Sequence, residues 1–324
     1  VSAFMPVILF GLLSLINGWY FIPNSILLKG NKFDLMSLES LLKFLYNGLR
    51  QVIYNMHIFT LVVVLLIILV IVSQKKNRLQ MLPCRLASYL FLMATAVHMF
   101  FAKSGYFLSI NFQLRYDAYL LAMGMLALML LPAEVLNRRE DHPSFLPDRW
   151  IPWLLVLIVS LPMAERGFRT LMKTPMASSN TYSNQYMLGK FVDKYYREER
   201  ILLNDIGGIN FLSDVHCLDI LGLSSKQAAD YLLKGQLNRT NIEKMGRSFK
   251  AKIAIVNDRL LHSFGGIPKS WELIGKWKLK KSVISPLDTI SFYALLPGEG
   301  EKLKRHLRAF SPLLPDSLYV RIKR

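Results

Sequence analysis

The chain has 324 residues, 52% of them hydrophobic, a mean hydropathy of +0.30 and a formal net charge of +18. Its two cysteines, Cys84 and Cys217, exclude a disulfide framework and a cysteine-based zinc site. Residues 1–164 hold 13 Lys and Arg against 7 Asp and Glu, whereas residues 165–324 hold 27 against 15, so an apolar half precedes a basic, polar one. That asymmetry excludes an ordinary soluble globule. It predicts an α-helical multi-pass membrane region over 1–164 followed by an extracytoplasmic α/β domain over 165–324. A basic excess beside a membrane suits anionic lipid and lipid-linked phosphate better than nucleic acid.

The chain opens at Val1 in an apolar run, without a charged n-region or a small-residue cleavage site, which reads as the internal start of a longer protein and not as a signal peptide. Five runs have the composition of membrane spans: Val1 to Trp19, Met56 to Ser73, Leu86 to Ala102, Ala118 to Val135 and Trp150 to Met163. Lys75, Lys76, Arg78 and Arg85 crowd one connection and Arg138, Arg139 and Arg149 another, which puts those loops in the cytoplasm. Residues 20–55, 103–117 and everything after Glu165 then face outward. Within the first outer loop Leu38, Leu41, Leu42, Leu45, Leu49, Val52 and Ile53 recur at helical spacing, as expected for an amphipathic helix in the outer interface or for a packed extramembrane helix.

Ser178 to Asn184 has the small polar composition of a linker, and Met187, Leu188, Phe191, Val192 and Tyr195 form a helical stripe after it. Ile201-Leu202-Leu203 and Cys217 to Leu221 read as strands separated by a turn and short helix at Asn204-Asp205-Ile206-Gly207-Gly208. Helices start at the capping boxes Ser224 to Gln227 and Thr240 to Glu243. The continuous apolar run Ile253 to Val256 suits a strand buried on both faces. Trp271, Leu273, Gly275, Trp277 and Leu279 alternate with polar residues as one face of a strand, Ile290 to Leu296 is a further strand, and a last helix turns Leu303, Leu307 and Phe310 inward.

Nucleotide-binding glycine motifs, HExxH and the G-x-S-x-G elbow are absent from the sequence, and glycines at a strand end serve a tight turn more often than a phosphate. Asp214 and His216 are too few to define a metal site; no cofactor is evident, and a divalent metal has no support in the sequence. Three outward-facing polar clusters remain. Pro23-Asn24-Ser25 with Lys29 follows the first apolar run, Arg115-Tyr116-Asp117 precedes the fourth, and Asn204-Asp205 ends a strand. An arginine at the interface grips phosphate bidentately while its stem stays apolar. Each cluster also has a structural reading: Pro-Asn-Ser as a turn or cap, Arg115 as a snorkelling anchor, Asp205 as a helix cap.

The string Gly18-Trp19-Tyr20-Phe21-Ile22-Pro23-Asn24-Ser25, with Lys29, resembles a stretch of the multi-pass polyprenyl-phosphate-sugar-dependent glycosyltransferases of the GT-C class, arabinofuranosyltransferase-like members above all. So do Tyr182, Gln185, Tyr186, Phe191 and Tyr195, then Asn204, Asp205, Ile206, Gly207, Ile209 and Phe211, then Leu218, Asp219, Gly222 and Leu223. The resemblance implies transfer of a sugar from a polyprenyl-phosphate donor to a cell-envelope glycan or lipid acceptor, on the outer face of the cytoplasmic membrane. Under it Lys29 and Arg115 contact the lipid phosphate, Asn24 shapes the donor pocket, and Asn204 and Asp205 contact the acceptor or fix the strand-to-helix turn. The family's catalytic carboxylate lies in an outer loop ahead of Pro-Asn-Ser; Asp34 and Glu39 match no such position, which leaves the catalytic residue unassigned. A membrane-anchored glycan- or partner-binding protein without catalysis is the alternative.

Overall fold

The computed structural model describes residues 5–29, 37–73, 82–101, 117–130, 151–284 and 287–323. Two compact units emerge: Val1–Lys29 with Pro175–Arg324, and Gly30–Thr174. The N-terminal segment therefore belongs with the α/β part, a grouping that composition along the chain does not suggest.

In the α/β unit six strands, β1 (Arg200–Leu203), β2 (His216–Asp219), β3 (Ile253–Val256), β4 (Glu272–Leu279), β5 (Thr289–Ala294) and β6 (Leu318–Ile322), form one mixed sheet in the order β2-β1-β3-β5-β4-β6. β2, β1 and β3 run parallel, with Leu203 opposite Asp219 and Ile255; the other pairings are antiparallel. Alternate residues of the central strands feed two cores. Ile201, Leu203, Ile253 and Ile255 join Phe191, Trp277, Phe292, Leu303, Leu307 and Phe310 on one face, while Leu202, Ala254 and Val256 join Ile242, Met245, Leu261 and Trp271 on the other. Strands buried on both sides need the unbroken apolar runs found at Ile201 to Leu203 and Ile253 to Val256. Phe191 anchors the first core with rings 5.4–5.6 Å away at Phe310, Trp277 and Phe292, each nearly edge-on.

Helices of the first 101 residues are α1 (Met5–Ile16), α2 (Asn24–Lys29), α3 (Leu38–Tyr54), α4 (Met56–Ser73) and α5 (Leu82–Phe101). After them come α6 (Ala118–Met129), α7 (Ile151–Thr181), α8 (Met187–Tyr196), α9 (Gly207–Leu212), α10 (Lys226–Leu233), α11 (Arg239–Ser248), α12 (Asp258–His262) and α13 (Glu299–Phe310). In the helical unit α4, α5 and α6 share a core of Ile58, Leu61, Leu65, Phe91, Met99 and Leu120.

The expected five-span membrane region is corrected by these helices. Among the described residues one helix, α5, is long and apolar enough to cross a membrane, or two if α3 and Met56–Val70, bent by 94°, count as one span. Over the described residues α1 and α6 have 12 residues each, about 18 Å at 1.5 Å per residue, against a hydrocarbon core of about 30 Å. α7 is 31 residues long, but its apolar part ends before Glu165, Arg166, Arg169 and Lys173. Continuous apolar letters set the expected spans, and letters alone do not show where a helix stops.

Other local expectations also change. Ser178 to Asn184 is helical: α7 continues to Thr181 and a π-helical turn spans Tyr182–Tyr186. The hydroxyls of Thr181 and Ser183 donate to carbonyls four residues back, and Asn180 bonds both the Lys281 carbonyl and the Val283 amide, so this polar segment is held from outside itself. α11 starts at the cap Asn238, whose side chain accepts from Asn241 N–H, and not at Thr240. A register shift between Leu273 and Gly275 turns Leu273 outward and buries Ile274, breaking the expected alternation in β4.

On α13, His306 stacks on Tyr195 at 4.4 Å and is half-buried, and burial followed by the charges of Lys302 and Arg305 holds its pKa below the ordinary value. The unfolded chain then takes up this proton first as pH falls, so the contribution of His306 to stability is complete above about pH 6.5 and is lost below it. His306→Phe is expected to flatten the decline of the melting temperature between about pH 6.5 and 5; a decline parallel to the parent's would contradict this.

Candidate functional site

The carboxyl ends of the parallel strands position the polar residues of the α/β unit. β1 leads into α9 and the core around Phe191, whereas its neighbour β3 leads into α12 and the opposite core. Adjacent strands thus send their connections to opposite faces, an arrangement that marks the usual ligand position in open α/β sheets.

Asn204 and Asn257 join these two strand ends. Asn204 Oδ1 accepts from Asn257 N–H at 2.8 Å, and Asn257 in turn donates its amide to the Thr289 carbonyl at 2.5 Å and caps α12 through Leu260 N–H. The next residue, Asp258, meets Lys276 Nζ at 2.6 Å and the Tyr293 hydroxyl at 2.8 Å. Burial first, and the Asp258 carboxylate second, push the Tyr293 phenol far above its ordinary value, so Tyr293 stays a hydrogen-bond donor.

Asp205, the next residue after Asn204, is exposed. Its Oδ2 accepts from Gln185 Nε2 at 2.7 Å and its Oδ1 from Gly207 N–H at 3.4 Å. Gln185 sits in the π-helical turn, whose Tyr182 and Tyr186 rings stack at 5.2 Å, and Lys190 lies 5.7 Å over Tyr186. Phe211, on α9, is 88% exposed. Gly208 has no left-handed φ; a Cβ there would lie 2.7 Å from Gln185 Oε1, so the glycine permits close approach of α9 to the π turn. The short helix expected after the turn is present, and Gly208 serves its packing and not the turn.

At β2 the buried Asp219 carboxylate accepts from Leu221 N–H at 2.8 Å and Ser224 N–H at 3.0 Å. Gly222 adopts φ 78°, with Ala229 N 2.5 Å from where a Cβ would stand, so a side chain is excluded on both counts. This tight turn holds out the Gly222 carbonyl, and the buried Asn24 donates its side-chain amide to it at 2.7 Å. Close by, the Tyr20 hydroxyl donates to Asp230 on α10, and Lys226 lies 5.8 Å over the Tyr20 ring. Burial, then Asp230, raises the Tyr20 phenol to about 12, and the same hydrogen bond holds Asp230 below the usual carboxylate range.

Of the residues singled out in the sequence, Asn24, Asn204 and Asp205 therefore lie in one unit along the ends of neighbouring strands. Asn24 ties two segments together. Lys29 ends α2, and Arg115 lies outside the described residues. Among the described residues no three His, Cys, Asp or Glu side chains converge as metal ligands.

Sequence reasoning missed a second cluster, in the helical unit. Asp117, 2% exposed, bonds His57 Nε2 at 2.8 Å and Arg166 Nη2 at 2.9 Å. Asp117, expected in an outward-facing cluster with Arg115 and Tyr116, is buried instead, and for His57 and Arg166 a place at the border of an apolar run was the only signal in the sequence. Such a buried ionic group holds α4, α6 and α7 in register, since removing one partner leaves uncompensated charge.

A family described as a domain of unknown function (DUF8728) matches residues 176–295, from the end of α7 just past β5 and well under half of the chain. No curated protein and no solved structure matches the chain.

Asn24→Ala leaves a buried carbonyl without its donor, at a cost of about 1–3 kcal/mol. Hydrogen exchange is expected to speed up at the amides of residues 219–224 and leave those of β3 unchanged; unaltered protection at 219–224 would contradict the tether.

Proposed function

We propose that the chain serves transfer of a sugar from a polyprenyl-phosphate donor to a cell-envelope acceptor at the outer face of the cytoplasmic membrane, with the α/β unit holding the polar part of the acceptor. The observation that carries this reading is a convergence. The two stretches that resemble the glycosyltransferases, residues 18–25 and 182–230, meet through Asn24 with Gly222 and Tyr20 with Asp230, although about two hundred positions apart in the chain. Segments joined by no local necessity, yet docked by two specific hydrogen bonds, support a shared role.

The chemistry of the strand ends agrees with a carbohydrate. Sugars present apolar ring faces and hydroxyls; exposed Tyr182, Tyr186 and Phe211 offer the first a surface, and Asp205 with Gln185 offers the second acceptors and donors. Lys29 and Arg115 keep the role of meeting lipid phosphate, where a cation stabilises the charge of the departing group.

One observation favours the alternative, a membrane-anchored glycan-binding protein without catalysis. Asp205, Asp219, Asp230 and Asp258 are each engaged, by Gln185, by backbone amides, by Tyr20 with Lys226, and by Lys276 with Tyr293. A general base must be at liberty to take a proton from an acceptor hydroxyl.

A transfer assay on the full-length protein with a labelled polyprenyl-phosphate sugar decides between them. Arg115→Ala is expected to lower kcat/KM for donor about 10-fold or more, as loss of a charge-assisted bond implies. Asp205→Ala with Phe211→Ala is expected to raise the acceptor KM and spare the donor KM. Glycan binding without any transfer establishes the alternative, and unchanged donor kinetics in Arg115→Ala removes the phosphate contact.

A further inference from the structure

The N-terminal segment of the α/β unit carries an apolar surface that the sugar chemistry does not use. Along α1, Met5, Val7, Ile8, Leu9, Phe10 and Leu13 are all about half exposed or more, on every side of the helix. A helix that is hydrophobic all round belongs in lipid or in a large core. After α1 the chain reverses. Gly18 takes φ 75°, Ser14 Oγ donates to the Tyr20 carbonyl at 2.7 Å, and the Phe21 ring packs so closely over Gly11 that a Cβ there would lie 2.4 Å from it. The reversal brings Phe21, 39% exposed, back against the helix, and Ile22 and Ile26, which follow it in the chain, are 43% and 61% exposed. The hydrogen bond from Asn24 to Gly222 then places Leu223, 38% exposed, next to them at the edge strand β2.

Polar groups border this patch in the order found at a membrane surface. Trp19 and Tyr20 stand at the reversal, where amphipathic rings favour the headgroup level, and Lys226 and the exposed Lys234 lie on and just after α10. Each cation near an anionic leaflet adds about 1 kcal/mol of attraction. The net charge of +18 gives the chain as a whole the same preference.

From this continuity of exposed apolar side chains, reversal and cations we infer that α1 with residues 19–26 is a wedge seated in an anionic lipid leaflet, and that it lays the β2 edge of the sheet on the headgroups. The occupant of the patch is lipid and not a protein partner. The inference concerns which edge meets the bilayer, and it stands whether or not sugar transfer does.

The test uses the full chain in nanodiscs containing phosphatidylglycerol, with Cys84 and Cys217 replaced by serine and one fluorophore attached through Ile26→Cys, Leu223→Cys, Leu313→Cys or Tyr319→Cys. Leu313 and Tyr319 are 57% and 61% exposed, and Tyr319 lies on β6, the opposite edge of the sheet. Lipids spin-labelled near the headgroup are expected to quench positions 26 and 223 several-fold more than 313 and 319. Equal quenching at all four, or stronger quenching at 313 and 319, overturns the inference. Charge reversal at Lys226 and Lys234 together is expected to reduce quenching at 223; no change overturns the part assigned to anionic lipid.

Discussion

A single buried carboxylate governs the end of β2. Asp219 faces the core edge with almost no exposure and is satisfied by two backbone N–H groups, Leu221 and Ser224. Charge-assisted hydrogen bonds of this kind are roughly twice as strong as neutral ones, and leaving them unmade in a buried place is costly. The turn they enforce requires the left-handed Gly222, and that glycine presents its carbonyl to Asn24. The N-terminal segment is therefore part of the α/β unit because of a turn about two hundred residues away.

From that tether the rest of the site can be followed strand by strand. β1 pairs with β2 so that Leu203 stands opposite Asp219, which puts Asn204 and Asp205 just past the same edge. Asn204 reaches across to the β3 end and bonds Asn257, while Asp205 stays at the surface with Gln185. The division of labour follows from burial: the inner amide pair is consumed in holding strands together, and the outer carboxylate with its aromatic neighbours remains where a ligand can reach it.

Much of the α/β unit was legible in the sequence because its signals are local. Ile253 to Val256 has to be buried on two faces, and Leu303, Leu307 and Phe310 recur at helical spacing and are buried together. Nonlocal facts were not legible. The bulge in β4 depends on two neighbouring strands, β6 has no periodicity of its own, and the helical state of residues 178–184 rests on partners at Ser317, Lys281 and Val283. The five-span reading failed for a related reason. Apolar content is a property of the letters, but the 94° corner between α3 and α4 depends on how the two helices pack. At the site, the position of Asn204 and Asp205 at a strand end could be read, whereas the Asn257 partner and the ionic group of His57, Asp117 and Arg166 needed the fold.

Both the functional reading and the membrane-facing edge depend on residues 19–24 being docked on the β2 end. A double-mutant cycle in the intact chain measures this directly, with Tyr20→Phe and Asp230→Ala alone and together, read as unfolding free energy in detergent micelles. Docked as described, the two changes are coupled by about 0.5–3 kcal/mol; additivity to within about 0.3–0.5 kcal/mol would mean that the two side chains do not meet and would contradict the convergence.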